Sequence, residues 1–179
     1  MTDNKIIQTI NNSNIDKIED EIWLNDVWSL YFHDPTDDNW NKDGYIKICT
    51  LSTVQEFWTT FEIIREHIHK GMFFLMREHI FPVWNDDENK NGGFLSIKIL
   101  KEKAATFCEN LMINLLNETL LKHEYKEQWF TINGVSISPK RHFCIIKVWL
   151  KNTNLQDPGL FNICSGYYGS IIFKTNTCN

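Results

Sequence analysis

At 179 residues the chain is long enough for one domain with a substantial core, and 42% hydrophobic and 13% aromatic content, with seven tryptophans, marks it as globular. A formal net charge of -5 excludes a broad basic surface for non-specific duplex or DNA binding, so any nucleic-acid contact must be a local site. Five scattered cysteines (Cys49, Cys108, Cys144, Cys164 and Cys178) form no CxxC pair and no zinc spacing, and no apolar run approaches membrane-spanning length. The expectation is reduced thiols in an intracellular, cytoplasmic protein without cofactor, metal or membrane contact.

Residues 1–20 alternate polar and apolar without a signal-peptide core and read as a polar tail, leaving 21–179 as a single domain. Order is expected from Trp23 and Leu24, and Val27 to Phe32 has strand composition. Asp34-Pro35-Thr36-Asp37-Asp38-Asn39 is turn chemistry and ends on Trp40. After a further turn at Asp43-Gly44, Tyr45 to Leu51 alternates as a strand. Thr53, with Glu56 three positions on, predicts a capping box for a helix running to about Ile68. Val54, Phe57, Trp58, Phe61, Ile64 and Ile68 follow helical spacing in it, and Lys70-Gly71 ends it. Met72 to Met76 reads as a buried strand leading to Phe81-Pro82-Val83-Trp84; a polar run and Gly92-Gly93 then deliver the chain to a strand over Phe94 to Ile99. Residues 72–99 are expected to form a long-looped hairpin.

A second helix is predicted from Lys101 to Leu121, burying Ala105, Cys108, Leu111, Met112, Leu115 and Leu116. Trp129 to Ser138 and His142 to Leu150 are strands joined by Ser138-Pro139-Lys140-Arg141, the densest positive charge in the chain. Asp157-Pro158-Gly159 opens a short helical stretch to about Tyr168, and Ser170 to Lys174 is the last strand. The sum is an α+β chain: about seven or eight strands in an antiparallel sheet, with two or three helices on one face.

Trp40 and Trp84 each stand at the lip of a polar loop, where a large aromatic is awkward if it serves only packing. Each alone is equally well explained as a lid over the core. As a pair at strand ends of one sheet, two indoles can sandwich a flat heterocycle, with stacking of about 1–3 kcal/mol per base. A positively charged base, such as guanine methylated at N7, adds about 0.5–2 kcal/mol of cation–π attraction per indole. Lys140 and Arg141 would then neutralise a di- or triphosphate.

The succession Trp28-Ser29-Leu30-Tyr31-Phe32, Trp40, Thr53-Val54-Gln55-Glu56-Phe57-Trp58, Pro82-Val83-Trp84 and Asn89-Lys90-Asn91-Gly92-Gly93 resembles eukaryotic translation initiation factor 4E, the family that binds the 7-methylguanosine cap of mRNA. The resemblance runs from about Trp23 to Lys174 and is strongest between Trp28 and Ile99. It implies a cupped sheet with helices on its convex back and Trp40 and Trp84 as the cap-stacking pair. Lys140 falls where the family places a basic residue on the cap phosphates, Arg141 lies beside it, and His142 is an additional candidate. On the back, Leu24, Val54 and Trp58 match positions that receive the helical motif of initiation factor 4G and of repressors, a helix-in-groove contact.

The departures are as informative. Where the family carries a glutamate on the guanine edge, this chain has Asn85, whose amide offers one acceptor oxygen and two donors. Losing charge-assisted bonds of about 1.5–3 kcal/mol each weakens guanine selectivity, unless Asp86 or Asp87 restores a carboxylate or Asn85 suits a cap also methylated at N2. Phe94 replaces an arginine beside Gly-Gly, and Ile145 replaces a second phosphate-binding lysine, with Lys147 two positions on. The family's Leu-Glu pair in the second helix corresponds to Glu109-Asn110.

An enzyme is disfavoured: the Asp34–Asp38 and Asp86–Glu88 clusters have the composition of solvated turns, and no GxSxG, P-loop, GxGxxG or HExxH occurs. The expectation is a non-enzymatic cap-binding factor that engages capped mRNA and a 4G-like partner. Two alternatives stay open: a translational repressor, and a partner-binding module with weakened cap binding.

Overall fold

The structure, a computed structural model, describes residues 20–167 and 169–176. Most of the expected polar tail, Tyr168 and Cys178 lie outside them. The strands are β1 (Trp23–His33), β2 (Ile46–Thr53), β3 (Met72–Arg77), β4 (Gly93–Leu100), β5 (Ile132–Pro139), β6 (Phe143–Leu150) and β7 (Ile172–Thr175). Helix α1 (Val54–Arg65) follows β2 and α2 (Lys101–Leu116) follows β4; 3-10 turns cover Lys42–Gly44, His123–Thr131 and Pro158–Leu160. All seven strands form one curved antiparallel sheet in the order β2-β1-β3-β5-β6-β4-β7.

Period-two alternation sorts the strand side chains onto two faces. Leu30 and Phe32, Phe73 and Leu75, Leu95, Ile97 and Ile99, Val135 and Ile137, and Ile146 and Val148 join one core with Phe57, Phe61 and Ile64 of α1 and Phe107, Leu111 and Leu115 of α2. Both helices therefore cover the same face. The opposite face carries a smaller cluster of Tyr31, Met72, Phe74, Met76, Ile80 and Trp149. The cup lies on this side, which neither α1 nor α2 covers.

Local signals explain the element ends. The capping box is present: Thr53 Oγ1 accepts the Glu56 N–H at 3.2 Å, and the Glu56 carboxylate accepts the Thr53 N–H at 3.0 Å. Helix α1 stops at Arg65 rather than Ile68, and turns bonded from His67 to Ile64 and from Gly71 to His67 carry the chain into β3. Helix α2 stops at Leu116 rather than Leu121, because Glu118 enters the left-handed region at φ 57°. The stretch after Asp157 is one 3-10 turn, with Asp157 accepting the Gly159 N–H, and residues 129–131 close a 3-10 segment instead of opening β5. At Gly134 a side chain would collide with the Leu75 carbonyl and with Met76, so β3 and β5 approach closely only because this residue has no Cβ.

The expected hairpin over 72–99 is not formed. β3 pairs with β1 and β5, while β4 pairs with β6 and β7, so two strands separate them. β3 is buried along its whole length, which suits a central strand covered on both faces. The loop carrying Trp84 is thus a crossover along the sheet end, not a hairpin tip.

Candidate functional site

The Trp84 loop is built on buried amide chemistry. Asn89 is fully buried; its Nδ2 donates to the Phe81 and Val83 carbonyls at 3.0 and 2.9 Å. Its Oδ1 accepts from Asn133 Nδ2 at 2.8 Å, and its own carbonyl accepts from Asn176 Nδ2 at 2.9 Å. Asp86 turns inward and accepts the N–H groups of Phe81 and Glu88 at 3.3 and 3.0 Å. Asn89 is hydrogen-bonded through both side-chain atoms and its carbonyl, and buried bonds of this kind hold a backbone in one shape. On this rigid frame Trp84 is 51% exposed.

The Trp40 loop is held by turn chemistry. Asp34 accepts the N–H and the hydroxyl of Thr36, each at 2.7 Å, and these bonds lower its pKa. Asp37 accepts the Asn39 N–H at 2.8 Å. The acids expected to be solvated turns act as loop caps, and among the described residues no cluster of His, Cys, Asp and Glu could hold a metal. Trp40 is 49% exposed.

Both indoles border one cavity of about 330 Å³ in the cup. Its floor includes Phe74 of β3, Ser136 of β5, Phe94 of β4, and Ile145, Lys147 and Trp149 of β6. Trp149 is fixed by donating from Nε1 to Ser136 Oγ at 2.9 Å. Beneath Trp40 the aromatic pile continues through Tyr45, whose phenol burial pushes up to about 12, so it stays neutral. Lys140 reaches the cavity from the β5–β6 turn. Lys147 places its ammonium 4.0 Å from the Phe94 ring centroid and 5.6 Å from that of Trp149. Burial first, then the charges of Lys174 and Lys140, lower the Lys147 pKa. Lysines near one another, with no carboxylate paired to Lys140 or Lys147 among the described residues, give this end of the cavity a positive charge.

Of the other expected cup residues, Asn85 follows Trp84 on the exposed loop surface, and Asp86 is engaged in loop bonds. Arg141 and His142 are exposed on the turn and do not line the cavity. Phe94 and Lys147, noted in the sequence only as departures from the family pattern, line the cup, and so does Trp149, which motif matching passes over. Their signal is alternation: Ile145, Lys147 and Trp149 share one face of a regular strand.

On the helical face a second cavity of about 140 Å³ is lined by Leu24, Val54, Phe57, Trp58, Ile113, Leu116 and Asn117. Trp58 is 38% exposed and leans edge-on against Phe61. Glu109 and Asn110 do not line it. Glu109 pairs with Arg65 of α1, and Asn110 Nδ2 donates to the Thr106 carbonyl at 2.9 Å. The lining from α2 and its C-cap lies one to two helical turns further on, at Ile113, Leu116 and Asn117.

With this geometry in place, comparison with known proteins is decisive: the family profile described as Eukaryotic initiation factor 4E matches residues 23–163, more than half of the chain. The chain belongs to the eukaryotic initiation factor 4E family. Relatives include the Caenorhabditis elegans eukaryotic translation initiation factor 4E-1, 28% identical over 69% of this chain and 59% of that protein. The Saccharomyces cerevisiae factor 4E is 28% identical over 74% of this chain and 63% of that protein. A factor 4E homolog of Acanthamoeba polyphaga mimivirus is 24% identical over 70% of this chain and 55% of that protein. The chain thus spans about half to two thirds of the length of such relatives. The fold matches Ascaris suum eIF4E-3 solved with an m2,2,7G cap (TM-score 0.65, 19% identity, 79% of each chain covered). It also matches C. elegans eIF4E-3 solved with the 4E-binding protein Mextli and a cap analog (TM-score 0.67, 19% identity, 79% of this chain and 80% of that one). Among the described residues no helix of this 4E family member is long and apolar enough to cross a membrane.

Proposed function

We propose that this 4E family member is a cytoplasmic, non-enzymatic translation initiation factor that binds the N7-methylated guanosine cap of mRNA in the cup and a helical partner motif on the back. The observation that carries the reading is the pair of half-exposed indoles, Trp40 and Trp84, on one cavity floored by lysine. The cationic base stacks between them, because methylation at N7 adds a cation–π term that neutral guanine lacks. Lys140 and Lys147 receive the phosphates, with Arg141 and His142 following the chain of phosphates past the rim. A 4G-like protein or a repressor lays the apolar side of a helix along Leu24, Val54 and Trp58, with Ile113 and Leu116 opposite.

Asn85 favours a second, narrower reading of the base edge. It presents an amide where a carboxylate would accept two guanine donors, so a base with a methyl group on N2 loses less here than it would opposite a carboxylate. Intrinsic fluorescence titrations with 7-methyl-GTP, GTP and an N2-methylated analogue test both readings. Quenching by the N7-methylated ligands alone is expected. Equal response to GTP would remove the cationic sandwich. A clear preference for plain 7-methyl-GTP over the N2-methylated form would remove the role given to Asn85.

A further inference from the structure

His33, the last residue of β1, is fully buried, and its ring lies parallel to the Trp40 indole, with centroids 4.2 Å apart and planes 9° from one another. One face of the indole is therefore covered, while the residue still borders the cup cavity. The ring is held on all sides. Its Nδ1 is 2.8 Å from the Asp34 carbonyl and its Nε2 is 3.0 Å from the Asn39 carbonyl. These two carbonyls mark the two ends of the turn that leads into Trp40. A carbonyl only accepts and a neutral imidazole carries one N–H, so the ring donates to one of these carbonyls at a time while lying within reach of both ends of the loop. Tyr45 closes the ring edge at 4.8 Å. An imidazole clamped in this way fixes the plane of whatever rests on it.

We propose that His33 is a positioning residue for base stacking: it backs the Trp40 indole and ties down its loop, so that the open indole face is set before ligand arrives. This role rests on the cap-binding reading of the cup. A half-exposed indole without a backing ring must be ordered on binding, and ordering one side chain costs about two- to tenfold in affinity.

The experiment is a double-mutant cycle with 7-methyl-GTP, followed by calorimetry, in His33→Ala, Trp40→Leu and the combined variant, with His33→Phe alongside. His33→Ala is expected to lower affinity about two- to tenfold, His33→Phe to recover part of the loss by restoring a flat ring without the ring N–H, and His33→Ala to cost nothing further in the Trp40→Leu background. Unchanged affinity in His33→Ala overturns the proposal. So does the same loss in both backgrounds, since that marks general loosening. A ligand-free readout separates this from the cap reading: the stacked ring covers one face of the indole, so the acrylamide-quenchable emission lost on Trp40→Leu should be larger in the His33→Ala background than in the wild type. If the wild type fails to bind 7-methyl-GTP, the cap reading falls. The emission difference then decides alone whether His33 backs Trp40: an increase keeps the role and no change removes it.

Discussion

Lys147→Met separates the anion site from the stacking site. In the free protein Lys147 is partly buried over the Phe94 and Trp149 rings, and burial, then Lys174 and Lys140, lower its pKa. The charged form is thus less favoured in the folded chain than in the unfolded one. Its penalty on stability is fully present below the folded pKa and disappears as pH rises from there to the ordinary lysine value. Methionine keeps an unbranched apolar stem against both rings without the charge. The variant should therefore melt higher near neutral pH, by about 2–4 °C for each kcal/mol gained in a domain of this size. Ligand binding should respond in the opposite direction. A charge-assisted bond to phosphate contributes about 1.5–3 kcal/mol, so affinity for 7-methyl-GTP should fall about 10- to 150-fold. 7-Methylguanosine has no phosphate, and its affinity should stay within about twofold. Calorimetric titration with the two ligands at fixed ionic strength, beside thermal melts, reads all three quantities. Equal losses for both ligands would show that Lys147 supports the floor rather than the phosphates, and a lower melting temperature would refute the electrostatic reasoning.

Trp84→Ala removes a half-exposed ring from a loop held by Asn89 and Asp86, so it should leave the melting temperature nearly unchanged. It should lower 7-methyl-GTP affinity by about tenfold or more, from stacking plus cation–π; a much smaller loss in a fluorescence or calorimetric titration would argue against the sandwich. Trp58→Ala should abolish capture of a 4G-type helical peptide, as expected for a central aromatic anchor worth about 2 kcal/mol or more, and leave 7-methyl-GTP titrations as they were. Loss of both activities would point to misfolding. Burial pushes the Glu56 carboxyl up, but donors from Ser52 and Thr53 outweigh this and hold its pKa below the ordinary glutamate value. Its stabilisation is therefore present above the ordinary glutamate range and lost as pH falls through the folded value. Glu56→Gln should cost about 1 kcal/mol in denaturant unfolding near neutral pH, and that gap should close in acid; a pH-independent gap would contradict the capping account.

Much of the site was legible in the chain because its signals are local. Trp40 and Trp84 stand out as large aromatics beside turn formers, and the Thr53–Glu56 box starts a helix that carries Trp58 outward. Contacts distant in sequence were less legible. The resemblance points to Glu109-Asn110 on the second helix, whereas the facing of α2 against α1 decides which residues line the cavity beside Trp58, and these are Ile113, Leu116 and Asn117. Ile145 stands where a second lysine was expected, and Lys147, two positions on, shares the cavity with it; that its ammonium rests on the rings of Phe94 and Trp149 depends on two strands that meet only in the sheet. His33 carries no sequence signal at all: its importance lies in the loop that folds back over it.

By itself the sequence determined the elements, the two-faced strands, the capped helix and the loops that bear indoles, since these follow from dihedral preference, turn chemistry and periodicity within a few residues. Only the tertiary structure decided the strand order, which parts β3 from β4, and with it which side chains meet in the cup. Strand pairing depends on contacts between segments far apart in the chain, and a local apolar pattern is compatible with more than one neighbour.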